Sequence, residues 1–170
     1  MLECNDATDY SVSVVERTSF KSMNCSVAQC LEVVGEWWSL LIIRDAFLGY
    51  TRFDQFHERL GISRNTLTAR LNALVAEGVL ERARYQDHPP RSEYRLTDKG
   101  RDLWPVLTTM RQWGDKYSAP AGPPLQIIHR ACGHVTEAIP VCSECGEPLE
   151  SAAIRAIPGP GAERSAFLKP

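Results

Sequence analysis

Gly61-Ile62-Ser63-Arg64-Asn65-Thr66-Leu67-Thr68-Ala69-Arg70-Leu71-Asn72-Ala73-Leu74-Val75 is the stretch that decides the fold. Leu67, Leu71 and Leu74 recur at the spacing of one helix face, and Val75 widens it. Gly61-Ile62 is a turn, Ser63 is an N-cap, and Gly78 stops the helix after Glu77. With the leucines inward, a 100° step per residue turns Asn65, Ala69 and Asn72 outward, flanked by Thr66 and Thr68. Such a helix buries one side and offers short polar groups on the other.

Working outward, Arg52–Leu60 carries Phe53, Phe56 and Leu60 on one face, a short amphipathic helix. Trp38–Leu48 is apolar on nearly every side, the mark of a central buried helix. Before it, Val27, Leu31 and Val34 share a face on a helix that starts at Cys25 and ends at Gly35. Downstream, Val79–Tyr85 and Arg91–Leu96 are strand-like and flank the turn Gln86-Asp87-His88-Pro89-Pro90. Thr97 caps a helix from Asp98 towards Tyr117, bent by Pro105 near its first turns. Its predicted inward set is Leu103, Val106, Leu107, Met110 and Trp113.

This order predicts a mainly α protein, a winged helix-turn-helix with a β-hairpin wing, plus a small C-terminal zinc-ribbon-like extension. The expected organisation is an N-terminal arm over 1–24, a winged helix-turn-helix DNA-binding and dimerisation domain over 25–117, and a linker over 118–124. A zinc-binding segment over 125–150 and a disordered tail over 151–170 follow.

The chain has 170 residues, 44% hydrophobic, with a formal net charge of −2. Arg52–Arg101 holds 10 basic and 7 acidic residues, a local excess of positive charge that the rest of the chain reverses. No apolar run approaches the roughly 18 residues of a membrane span. The first twenty residues carry Glu3, Asp6, Asp9 and Glu16 and no apolar core of a signal peptide. A cytoplasmic protein with no membrane contact is expected. No Ser/His/Asp set, paired carboxylates or phosphate loop occurs at a usable spacing, so no enzymatic activity is expected.

A recognition helix meets base edges with its first turns. Ser63 and the helix start suit a phosphate, while Arg64, Asn65, Thr66, Thr68 and Asn72 are the candidate base-facing set. Arg pairs with guanine, Asn with adenine, and Thr touches a thymine methyl. Arg82, Arg84 and Arg91 straddle the hairpin turn and are candidates for the DNA backbone or minor groove. His57 and His88 are read as surface residues. The competing class is a protein–protein adaptor that uses the same fold without DNA.

Cys25-Ser-Val-Ala, Gly35-Glu-Trp-Trp-Ser-Leu-Leu-Ile-Ile-Arg44, Arg52-Phe53, Gly61-Ile-Ser-Arg-Asn-Thr-Leu-Thr-Ala-Arg-Leu71, Pro89-Pro-Arg-Ser-Glu-Tyr-Arg-Leu-Thr97 and Gly100 together resemble the HxlR-type winged-helix regulators, relatives of the MarR group. The resemblance runs from about Cys25 to Tyr117. It implies a homodimer built from terminal helices on a pseudo-palindromic double-stranded DNA operator, with repression favoured over activation. It also implies that Cys25, at the start of the first core helix, is a candidate sensor of an oxidant inducer. A small-molecule inducer and a plain buried thiol are the alternatives. Glu36-Trp37-Trp38 stands where family members usually have Gly-Lys-Trp, so a basic residue is lost there.

Beyond the resemblance, His129-x-x-Cys132-Gly133 and Cys142-x-x-Cys145-Gly146 repeat one half-site. A two-residue spacer lets both side chains of a pair approach one ion, as in zinc ribbons. His129, Cys132, Cys142 and Cys145 are the candidate ligands of a structural zinc, and His134 competes for the fourth position. A reversible disulfide from Cys132 to Cys142 or Cys145 is the competing chemistry. A thioredoxin-like CxxC needs a βαβ context that is absent, and a deaminase needs a His-x-Glu that is absent.

Overall fold

The computed structural model describes residues 19–88 and 91–162. The arm expected over 1–24 falls largely outside them, as do Pro89, Pro90 and residues 163–170. Six helices and two short hairpins follow in chain order: α1 (Ser26–Val34), α2 (Trp37–Phe47), α3 (Phe53–Leu60), α4 (Arg64–Ala76), β1 (Leu80–Gln86), β2 (Arg91–Leu96), α5 (Asp98–Arg101), α6 (Trp104–Ser118), β3 (Ile127–Ile128) and β4 (Val135–Thr136). The architecture is mainly helical with a small antiparallel wing.

The core gathers where α2, α4 and the root of the wing meet. Ile42 and Ile43 of α2, Phe56 of α3, Leu67, Leu71 and Leu74 of α4, and Val79 and Leu80 are all fully buried or nearly so. Ser63 caps α4 by accepting from the Thr66 N–H at 3.1 Å. Gly61 closes α3 in the left-handed region at φ +63°, which turns the chain sharply between the two helices.

The wing runs Leu80 opposite Leu96 out to Gln86 opposite Arg91, with a bulge between Arg84 and Gln86. A third chain segment joins it: Arg52 bridges Glu93, and Tyr94 N–H donates to Thr51 at 2.7 Å. At the root, a Cβ on the buried Gly100 would run into the Val79 carbonyl oxygen, so α5 can approach β1 only with glycine there. Thr97 caps α5 and donates its hydroxyl to Gly78 at 2.6 Å.

Two expectations need correction. The single helix from Asp98 to Tyr117 is two, broken at Asp102-Leu103, with Pro105 inside the first turn of α6. Proline is tolerated there because that N–H has no intrahelical partner. The inward face of α6 is also narrower than expected. Leu103 and Leu107 pack on the core, whereas Val106, Met110 and Trp113 are exposed. Likewise Val34 of α1 is buried but Val27 and Leu31 are not. Both helices lie at the edge of the domain, with one flank on the core and the other carrying exposed apolar side chains.

No single helix among the described residues is long and apolar enough to cross a membrane, and α1 and α2 meet at a 78° bend. Past α6, the segment expected to bind zinc forms the β3–β4 hairpin and a second turn closed by a bridge between Val141 and Pro148. Of the expected tail, Ser151–Ala153 forms a short 3-10 turn, and Gly161 accepts a hydrogen bond from Asn24 at 2.9 Å.

Inside this core one charge is wholly buried. Asp45 of α2 has no exposed side-chain surface and is met by Arg44 at 2.8 Å and Arg59 of α3 at 3.2 Å. Asp45→Ala should lower stability by about 3 kcal/mol, the low end for breaking a buried ion pair because both arginines reach solvent. Urea unfolding with an unchanged m-value would measure it; a loss below about 1 kcal/mol would show the pair to be dispensable.

Candidate nucleic-acid interface

α4 rests on three leucines, so its opposite face is held outward. Arg64, Asn65, Thr68, Ala69 and Asn72 are exposed, and Thr66 is half-buried beside the Ser63 cap. The sequence-derived face and the observed one coincide because a helix with three fully buried residues at i, i+4 and i+7 has no rotational freedom left.

Arg64 is not free in this arrangement. Its guanidinium donates to Asp54 of α3 at 3.0 Å and lies over the Phe53 ring. The contact parks the arginine at the mouth of the turn between α3 and α4, in reach of anything that approaches the start of α4. Further along, Arg70 pairs with Glu36 at 3.3 Å. Glu36, just before α2, therefore steadies α4 from beneath.

The wing arginines are exposed along the hairpin. Arg82 lies over the Tyr94 ring, Arg84 pairs with Asp87 at 3.4 Å, and Arg91 stands opposite Gln86 at the outer end. Arg52 and Arg95, which sequence reasoning did not single out, flank Glu93 at 3.6 and 2.8 Å. The hydrogen bond from Arg95 holds the Glu93 carboxyl below its ordinary pKa, against the opposing effect of burial, with Arg52 adding to the same direction. The signal for Arg52 was nonlocal, since it joins the wing through its bridge to Glu93 and by lying over the Tyr85 ring. Of the two histidines, His88 is exposed, while His57 is half-buried and stacks on Phe53.

Cys25 is the N-cap residue of α1, half-buried, with no side-chain cap bond. At the other end of the chain, Cys132 Sγ lies 3.4 Å from His129 Nδ1. The N–H groups of Cys145 and Glu144 and the Cys145 thiol all hydrogen-bond to Cys142 and hold its thiol below the ordinary range. The two pairs are each assembled, yet among the described residues no three His, Cys, Asp or Glu side chains come together as a metal site.

A supporting helix, a tight turn, a capped helix with a polar outer face and a basic hairpin define a winged helix-turn-helix protein. The family model described as HxlR-like helix-turn-helix matches residues 33–121. An HTH-type transcriptional regulator of Mycobacterium tuberculosis (strain ATCC 25618 / H37Rv) is 45% identical over 137 residues, 80% of this chain and 87% of the relative. The crystal structure of PA1607, assigned as a transcription factor, matches with a TM-score of 0.74 at 42% identity, covering 82% of this chain and 99% of that one. The redox regulator HypR in its oxidized form matches at 34% identity and a TM-score of 0.51, over 54% of this chain and 96% of its own. The chain belongs to the HxlR-like helix-turn-helix family and is a helix-turn-helix transcriptional regulator.

Arg91 sets the first test of the interface. Its exposed position at the wing's outer end points to a phosphate contact, not to base reading. Arg91→Ala should weaken binding to every DNA sequence alike and make the salt dependence shallower by about one unit. A salt slope equal to the wild type, measured by fluorescence anisotropy, would mean that Arg91 stays in solvent.

Proposed function

We propose that the protein is a homodimeric repressor that reads a pseudo-palindromic operator in double-stranded DNA. The observation that carries this reading is the outward face of α4, short polar side chains backed by fully buried leucines. Asn65 and Thr68 address base edges, Arg64 swings from Asp54 to guanine or phosphate, and Asn72 meets the groove wall. Ser63 and the N-terminus of α4 take a backbone phosphate. Arg82, Arg84 and Arg91 grip the adjacent backbone. Two copies present two such helices to half-sites one helical turn apart.

The dimer is supported by the apolar surface that the described residues leave uncovered. Val27 of α1, and Val106, Met110, Trp113 and Tyr117 of α6, are all exposed. Trp37 is 86% exposed at the start of α2. Patches of this kind mark association sites. A cytoplasmic location and regulation without catalysis fit the same reading. Cys25 is the proposed point of oxidant control, supported by the likeness to the redox regulator HypR.

Asn65→Ala should cost on the order of 1–3 kcal/mol on the preferred operator while leaving random DNA nearly unaffected. Equal losses on both would sink base reading by α4. An adaptor would show no DNA affinity at any salt, whereas a regulator loses affinity steeply between about 50 and 200 mM. Light scattering at micromolar concentration should return twice the chain mass, and a monomer there would overturn the dimer.

A further inference from the structure

Residues 125–150 make the same turn twice, thirteen positions apart. In the first, His129 N–H donates to the His134 carbonyl at 2.9 Å and Gly133 N–H donates back to His129 at 2.7 Å. In the second, Cys142 N–H donates to Glu147 at 2.8 Å and Gly146 N–H donates back to Cys142 at 2.9 Å. The glycines sit at φ +74° and +76°, the left-handed position that lets each chain fold back after its second side chain. The β3–β4 pairing flanks the first turn and the Val141–Pro148 bridge flanks the second. Two hairpin tips of identical hydrogen-bond pattern thus each present a pair of side chains, His129 with Cys132 and Cys142 with Cys145.

The first donor pair has the dimensions of one edge of a coordination site. Around a tetrahedral zinc with a thiolate near 2.3 Å and an imidazole near 2.0–2.1 Å, the two donor atoms stand about 3.6 Å apart. His129 Nδ1 and Cys132 Sγ are 3.4 Å apart, one edge of such a tetrahedron. In the second pair the same backbone turn, closed by the Gly146 N–H on the Cys142 carbonyl at 2.9 Å, sets Cys142 and Cys145 at the matching positions.

Among the described residues the segment is held by backbone hydrogen bonds without a core. From 125 to 150 no side chain is buried, and only Ile127, Ala138 and Cys142 are half-buried. Ile128, Val135, Ile139 and Val141 are exposed. So small a unit with no core requires a cross-link, and a metal or a disulfide is the usual one. Its attachment to the rest of the protein is polar. Gln112 of α6 donates to the Ala138 carbonyl at 3.1 Å and accepts from its N–H at 2.9 Å, while Arg111 donates to Leu125 at 2.9 Å.

We propose that the two hairpin tips close on one zinc ion held by His129, Cys132, Cys142 and Cys145. All four positions are filled by protein, so the role is structural and no water is activated. The thiols lose their protons on binding, and the energy of coordination replaces the missing core. This site is independent of DNA reading and stands or falls without it.

The full chain, expressed without a polyhistidine tag and purified reduced and free of chelator, should contain one zinc by elemental analysis. Exchange into cobalt should give a thiolate-to-metal charge-transfer band and the ligand-field bands of a tetrahedral site. Cys142→Ser and His129→Ala should each reduce retained zinc at least tenfold, while His134→Ala keeps it. Should these variants aggregate, stripping the wild-type chain with a chelator gives the same information. Hydrogen exchange should then rise across 125–150 and stay unchanged in α2 to α4. A reduced chain with neither zinc nor a cobalt–thiolate band overturns the site, including the case where an oxidant closes Cys132 onto Cys142 or Cys145. Zinc that survives Cys142→Ser overturns it too, and zinc that leaves with His134→Ala but survives His129→Ala overturns the ligand assignment.

Discussion

A buried carboxylate must be met by positive charge or it destabilises the fold, and Asp45 is such a carboxylate at the centre of this one. Arg44 meets it from the same helix, and Arg59 reaches it from α3, fourteen residues further on. Arg59 also donates to the Tyr50 hydroxyl at 3.1 Å and lies over the Tyr50 ring. Its pKa is raised above the ordinary value, chiefly by the hydrogen bond to Asp45, so the guanidinium stays charged throughout. The consequence is geometric. α3 cannot rotate on α2 without losing the Arg59 contact and leaving Asp45 to Arg44 alone, and α4 follows α3 through the two-residue turn at Gly61-Ile62. The orientation of the DNA-facing helix is thus anchored by a contact that touches no DNA.

Charge on the outer surface works differently. The net charge of −2 hides a basic face, and that face is itself partly neutralised. Asp54 holds Arg64, Asp87 holds Arg84, and Glu93 holds Arg52 and Arg95. The Asp54–Arg64 and Asp87–Arg84 pairs are exposed on both sides, and exposed pairs contribute only about 0–1 kcal/mol. A phosphate or a guanine can therefore take the arginine at little cost, while the acid keeps it extended beforehand. Acidic residues beside a basic face are compatible with DNA binding when they are exposed, and Asp54, at 82% side-chain exposure, is. The same carboxylates count against contacts with non-cognate anions that offer fewer donors and acceptors than a DNA groove.

The parts of the fold legible in the sequence were those governed by local rules. Leu67, Leu71 and Leu74 set the rotation of α4, Ser63 its start and Gly61 the turn before it, each through neighbours within four residues. The wing followed from two β-rich runs around a turn that cannot be helix. What escaped was nonlocal. Asp45 to Arg59 and Arg52 to Glu93 are pairings across the fold, and periodicity carries no sign of them. The exposure of Val27, Val106, Met110 and Trp113 escaped for a different reason. An apolar stripe at helical spacing predicts burial, but not whether the burying surface belongs to the same chain. The break before α6 was read only as a bend, although Pro105 is at home in a first turn and out of place in a helix interior.

α6 shows how one helix can serve three surfaces at once. Leu103 and Leu107 face the core, and Arg111 and Gln112 hold the 125–138 chain. Val106, Met110, Trp113 and Tyr117 form an uncovered stripe, with the Trp113 and Tyr117 rings 5.3 Å apart. At 3.6 residues per turn that stripe and the Arg111, Gln112 and Asp115 flank fall on roughly opposite sides of the helix axis. The C-terminal hairpins thus dock without covering the stripe. They also meet α6 by hydrogen bonds, a mode that adds little stability of its own and leaves their folding to be settled within the hairpins. Among the described residues, Arg111 and Gln112 tie the hairpins to α6, and Asn24 ties the chain beyond them to the start of the domain.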